Sequence, residues 1–154
     1  MRNRANGSAL AKGLQIGAVC ACANLRRAAR AVTQLYDEAL RPTGLRVTQL
    51  TLLVAARRLE PVTVTRLAEA TVMDRTTLTR DLKPLEREGF IRIEPGGDRR
   101  VREVTLTDQG RKALARALPL WEKAQSRVAT GLGQARLRRL LSDLSATVAL
   151  TWQR

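Results

Sequence analysis

From about Ile16 to Leu40, apolar residues recur at spacings of three and four: Cys22, Leu25, Ala29, Val32, Tyr36 and Ala39. This spacing draws one stripe along a long amphipathic helix, which Pro42 and Gly44 end. A second helix is predicted over about Val47 to Leu59, with Leu50, Leu53 and Val54 inward and Pro61 as its breaker. Thr63 suits the N-cap of a short third helix carrying Leu67 and Ala68, and Asp74 that of a fourth running to about Glu88. In the fourth, Leu78, Leu82 and Leu85 form the apolar edge, while Thr76, Arg80, Lys83 and Arg87 fall on the far side. Gly89 stops it. Pro84 lies well inside this helix and has no N–H for the carbonyl of Arg80, so a kink or local loosening is expected there.

The periodicity then changes. Phe90 to Glu94 and Arg102 to Leu106 read as two short strands, with turn chemistry between them in Pro95-Gly96-Gly97-Asp98. That is a hairpin. Thr107 caps a further helix through Ala113, Leu114 and Leu118 to about Ala129, with a bend expected at Pro119. Gly131 and Gly133 separate it from a last helix, about Gln134 to Thr151, whose Leu137, Leu140, Leu141, Leu144 and Val148 are read as inward. Neither terminal helical segment has an evident partner in the central unit. Their apolar stripes call for packing on each other and on a second copy, hence a homodimer.

The expected fold is mainly α with a small β-hairpin wing: a winged helix-turn-helix flanked by N- and C-terminal dimerisation helices. Residues 1–12 read as a flexible basic arm and 13–154 as a single domain. Within that domain, 13–45 and 111–154 would dimerise and 46–110 would form the winged unit.

Composition supports this and narrows the function. Hydrophobic residues make up 44% of the 154-residue chain but aromatics only 3%, so Leu, Val and Ala must fill a helix-packed core. The chain has no His, which removes the commonest general base and metal ligand and argues against an enzyme. No cofactor is expected. Two cysteines are too few for a disulfide framework. The mildly apolar stretch from Leu14 to Ala23 leads straight into Arg26 and Arg27, unlike a secretory leader, and no run approaches the roughly 20 apolar residues of a membrane helix. A cytoplasmic location without membrane contact is the expectation.

The formal net charge of +14, from 28 basic and 14 acidic residues, suits a polyanionic partner. Of the basic residues 24 are Arg and 4 Lys, a bias that a GC-rich genome also produces. Residues 61–110 hold nine basic and nine acidic side chains, so the winged segment is neutral and the excess lies in the flanks. Placement therefore matters more than total charge. In a winged helix-turn-helix the fourth helix enters the major groove, where Arg75, Thr76, Thr77, Thr79, Arg80 and Lys83 are the candidate contacts. The hairpin tip, Asp98-Arg99-Arg100, can place an arginine in a minor groove. Acids such as Glu69 and Glu86 are expected elsewhere.

Leu67-Ala68-Glu69, Leu78-Thr79-Arg80, Leu85-Glu86-Arg87-Glu88-Gly89-Phe90-Ile91, Asp98-Arg99-Arg100 and Leu106-Thr107-Asp108-Gln109-Gly110 together resemble the MarR family of bacterial regulators. The likeness extends to Gly44-Leu45 and Gln49. It implies an obligate dimer that binds a palindromic operator on double-stranded DNA, with repression relieved by a small aromatic or phenolic ligand or by thiol chemistry. It also implies that Arg100 is the minor-groove arginine and that Asp98 orients it. The alternative is a non-specific basic protein that binds nucleic acid or an anionic surface through its arginine-rich flanks.

For the switch, Arg26, Arg27, Arg30 and Arg46 could pair with a ligand carboxylate, and all four suit solvent equally well. Cys20 and Cys22 are the candidates for an oxidant or a soft metal. Two residues apart on a helix lie about 200° apart around the axis, so a disulfide within one helix would be strained. Cys22 shares the apolar stripe and also fits as a small buried hydrophobe. No firm metal site follows.

Overall fold

Ala21–Leu40 forms a long helix, α1, in a computed structural model that describes residues 18–98 and 100–152. The expected basic arm, 1–12, lies outside the described residues. The described chain falls into two compact units, one ending at Leu35 and the other beginning at Tyr36. In the first, Ala18 and Val19 are helical, as the periodicity suggests, but Cys20 interrupts the run before α1 begins. The carbonyl of Cys20 accepts the N–H of Asn24 at 3.1 Å, so Cys20 stands just before the helix.

The second unit opens with the last turn of α1, whose Tyr36 and Leu40 are buried. A 3₁₀ turn at Arg41–Thr43 follows, closed by Gly44 at φ 74°, a left-handed conformation open to glycine at little cost. Helix α2, Val47–Leu59, begins under two side-chain acceptors: Asp37 takes the N–H of Val47 at 2.7 Å and Gln49 that of Arg46 at 2.9 Å. Then come β1 (Val62–Thr63), α3 (Val64–Ala70), α4 (Arg75–Arg87), β2 (Ile91–Pro95), β3 (Arg102–Leu106), α5 (Asp108–Leu132) and α6 (Gln134–Thr151).

The three expected caps are in place. Thr63 accepts from the N–H of Arg66 at 3.1 Å, Asp74 from Thr77 at 2.8 Å and Thr107 from Gly110 at 3.0 Å. Helix α4 continues through Pro84 as one element, so the expected loosening does not interrupt it. Likewise α5 runs through Pro119 and includes Gly131, ending only at Gly133 with φ 81°. The sheet has three strands in the order β1-β3-β2, all antiparallel, so the hairpin carries an extra edge strand that alternation did not reveal. Two residues are too few to show a period of two.

Leu40, Leu53, Leu67, Leu78, Leu82, Leu85, Val62 and Val104 are fully buried and make the centre of an aliphatic core. The last helix departs from expectation: Leu137 is buried, but Leu140, Leu141 and Val148 are 42%, 51% and 42% exposed. Leu144 is half-buried, so the single chain covers this stripe only in part.

Candidate nucleic-acid interface

Helices α3 and α4 are joined by Thr71-Val72-Met73-Asp74, a turn held by local bonds. The hydroxyl of Thr71 donates to the carbonyl of Leu67 at 2.7 Å, and the N–H of Met73 reaches the carbonyl of Ala68 at 2.9 Å. Val72 sits at φ 55°, in the left-handed region that β-branched residues rarely enter. At the start of α4, the side-chain hydroxyl of Thr77, and then its backbone N–H, hold the Asp74 carboxyl below its usual pKa. Leu78, Leu82 and Leu85 anchor α4 to the core. The opposite face carries Arg75, Thr76, Thr79, Arg80 and Lys83, all exposed. Thr77 is half-buried at the helix start.

These residues do not form a single cluster. Arg75, Thr79 and Lys83 line a cleft of about 220 Å³ between α4 and the sheet, floored by Leu82 and Ile93. Arg102 of β3 shares that cleft and donates to the carbonyl of Ile93 at 3.2 Å. It is a candidate contact that the sequence reading passed over, although its outward place on β3 was open to inspection. Glu86, expected elsewhere, lines the same cleft and lowers its positive charge. Arg80 lies on the other flank of α4, where its Nε pairs with Asp81 at 3.1 Å beside a hollow shared with Thr48 and Met73.

At the hairpin tip the Asp98 carboxylate accepts the backbone N–H of Arg100 at 2.9 Å, and its carbonyl accepts that of Val101 at 2.9 Å. Asp98 thus shapes the turn through the backbone, leaving the Arg100 side chain exposed. Arg99 lies outside the described residues.

Behind the hairpin, Glu60 gathers partners from distant segments. Arg111 meets it at two points, Nη1 to Oε2 at 2.9 Å and Nη2 to Oε1 at 3.0 Å, and the N–H of Leu106 donates to Oε1 at 2.8 Å. The Arg111 hydrogen bond is the chief reason its carboxyl lies below the ordinary range. These contacts span 46 and 51 residues of sequence, and no local pattern announces them.

Among the effector candidates, Arg26, Arg27, Arg30 and Arg46 are exposed. A separate apolar cleft of about 270 Å³ lies between α2 and α5, lined by Leu50, Thr51, Val54, Leu118 and Trp121; Arg46 does not line it. Cys20 is half-buried, and Cys22 is exposed, contrary to a place in the core. Cys20 lies at the break between helical Ala18–Val19 and α1, and Cys22 in the first turn of α1, so the pair does not lie within one continuous helix. Among the described residues, no three His, Cys, Asp or Glu side chains group to hold a metal ion, and no helix is long and apolar enough to cross a membrane.

Comparison with known proteins accords with this architecture. The MarR family model matches residues 45–101. An uncharacterised HTH-type transcriptional regulator of Bacillus cereus is 36% identical over 86 residues, which is 56% of this chain and 57% of that protein. The chain therefore spans little more than half the length of that relative. The transcriptional regulator MosR of M. tuberculosis, solved in complex with DNA, is 41% identical with a TM-score of 0.74, covering 86% of this chain and 99% of MosR. CouR, a transcriptional repressor of Rhodococcus jostii RHA1 solved on a 23-mer DNA duplex, is 28% identical with a TM-score of 0.77, covering 88% and 95%. These relatives are regulators rather than enzymes, and on sequence and fold together this chain belongs to the MarR family.

Proposed function

We propose that the chain acts as a homodimer that reads a palindromic operator and represses transcription. The observation that carries this reading is the division of α4. Its leucines are buried in the core while Arg75, Thr76, Thr79, Arg80 and Lys83 stand exposed on the opposite side, in the same unit as the exposed Arg100 of the hairpin. Helix α4 would lie in the major groove, with Arg80 available to guanine and the threonines to phosphate or a thymine methyl. Arg100, and Arg99 beside it, would enter the flanking minor groove, where the potential is most negative. The relatives solved on DNA support this assignment by likeness. The exposed stripe of α6, with Leu118 and Leu132 on α5, would be covered by a second copy.

For release we propose either an aromatic ligand or thiol chemistry. The cleft beside Val54 and Trp121 suits an aromatic ring, while Cys20 and Cys22 are open enough to react. A soft metal would need thiols from both copies to complete its coordination. The experiment is selection of a duplex from a randomised pool, footprinting on it, and competition with random DNA at physiological salt. A near-palindromic footprint is expected, and Arg100→Ala should weaken binding by about 1–3 kcal/mol. A ratio of specific to random affinity near one would instead favour a non-specific basic binder. Repeating the titration with an aromatic acid, a thiol oxidant and a soft metal, on the wild type and on Cys20→Ser and Cys22→Ser, identifies the releasing chemistry.

A further inference from the structure

The short outer strand β1 pairs Val62 with Val104 and Thr63 with Glu103. Carried back two residues, that register sets Glu60 opposite Leu106. Backbone pairing does not reach so far, because Glu60 caps the end of α2 and β1 begins only at Val62. Leu106 therefore has an N–H and a carbonyl facing an edge that no strand completes, and two side chains take the place of the absent rung. Glu60 accepts the N–H at 2.8 Å, and Arg111 Nη2 donates to the carbonyl at 3.2 Å. The same side chains grip each other at two points, and Arg57 adds a contact to Glu60 Oε2 at 3.3 Å. The Glu60 side chain is only 12% exposed.

What this clamp holds is the root of the wing. Leu106 ends β3, the strand returning from the tip, and the two hairpin strands pair without a break from Ile91↔Leu106 to Pro95↔Arg102. A two-stranded ribbon has little stability of its own and takes its direction from where its base is fixed. On the other side of the base, the N–H of Thr107 is bonded to the carbonyl of Phe90 at 3.0 Å, just beyond α4.

We propose that Glu60 and Arg111 are positioning residues for DNA reading: by supplying the missing rung at Leu106, they set the angle at which the wing presents Arg100 beside α4. This rests on the reading of Arg100 as a groove contact. The pair itself would not touch DNA.

The test is a double-substitution cycle in the full chain, reading Kd for a duplex that the wild type enriches from a randomised pool. Glu60→Gln keeps the size and removes the charge; Arg111→Lys keeps the charge and removes the two-point grip, and stands in should the first variant fail to fold. Each is expected to weaken binding by about tenfold in the wild type but by less than about twofold when Arg100 is already Ala, since coupled residues do not add. A simple loss of stability would lower affinity equally in both backgrounds, and that result overturns the proposal. So does wild-type affinity in both variants. Normal binding by Arg100→Ala alone would remove the wing reading and this inference with it, whereas a loss there combined with undiminished effects of Glu60→Gln removes the clamp alone.

Discussion

A side-chain carbon on Gly110 would overlap the carbonyl oxygen of Phe90 and come within 2.9 Å of its carbonyl carbon. The two backbones meet here because the start of α5 is tied to the end of α4. Thr107 donates its hydroxyl to the carbonyl of Gly89 at 2.6 Å, and Gln109 donates to that of Glu88 at 3.0 Å. Only glycine leaves room. Gly110→Ala must push α5 away from this corner, with an expected loss of about 3 kcal/mol in urea unfolding, toward the upper end for overpacking. Wild-type stability in that variant would mean that the corner yields easily.

The turn between α3 and α4 carries an opposite opportunity. Val72 is left-handed at φ 55° and 41% exposed, so its side chain gains little from burial to offset a conformation that costs an L-residue about 1–2 kcal/mol. Asn tolerates this region far better. Val72→Asn should raise stability by about 1 kcal/mol, visible as a higher melting temperature. An unchanged or lower value would indicate that the valine methyl groups do useful packing.

Local sequence discloses features that depend on near neighbours and hides those that depend on distant ones. The caps Thr63, Asp74 and Thr107 were readable because each bonds a backbone N–H three residues on. The face of α4 was readable because Leu78, Leu82 and Leu85 recur at helical spacing. Strand β1 was not, since Val62–Thr63 becomes a strand only when β3 lies beside it. Helical spacing also placed Arg80 and Lys83 on one side of α4 but gave no notice of their different neighbours, Asp81 for one and the cleft with Arg102 for the other. Glu60 depends on Leu106 and Arg111, far along the chain, and no local pattern links them.

Glu60 also makes stability depend on acidity. Arg111's hydrogen bond, then the N–H of Leu106 and the charges of Arg111 and Arg57, hold its carboxyl below the ordinary 4.5 against the opposing effect of burial. A depressed carboxyl contributes stability above its unfolded pKa, and the contribution fades as pH falls through the folded value. Wild type should therefore exceed Glu60→Gln in melting temperature at neutral pH, and the gap should close progressively below about pH 4.5. A gap that is constant from pH 7 to about pH 3 would assign the effect to shape alone.

The leucine stripe of α6 bears on assembly. Leu137 is 7% exposed at one end, while Leu141, one turn on, is 51% exposed, so its own chain covers the stripe only in part. A charge at Leu141 would have little to disturb inside the chain but would have to be desolvated in any seam between copies. Leu141→Glu should thus keep its unfolding free energy per chain within about 1 kcal/mol of the wild-type monomer's while shifting sedimentation from dimer to monomer. On the proposed palindrome a monomer would present one copy of α4 instead of two and forfeit the effective concentration of the second, so operator affinity should drop by about a hundredfold. If Leu141→Glu sediments as a dimer with full affinity, the copies must join through another surface.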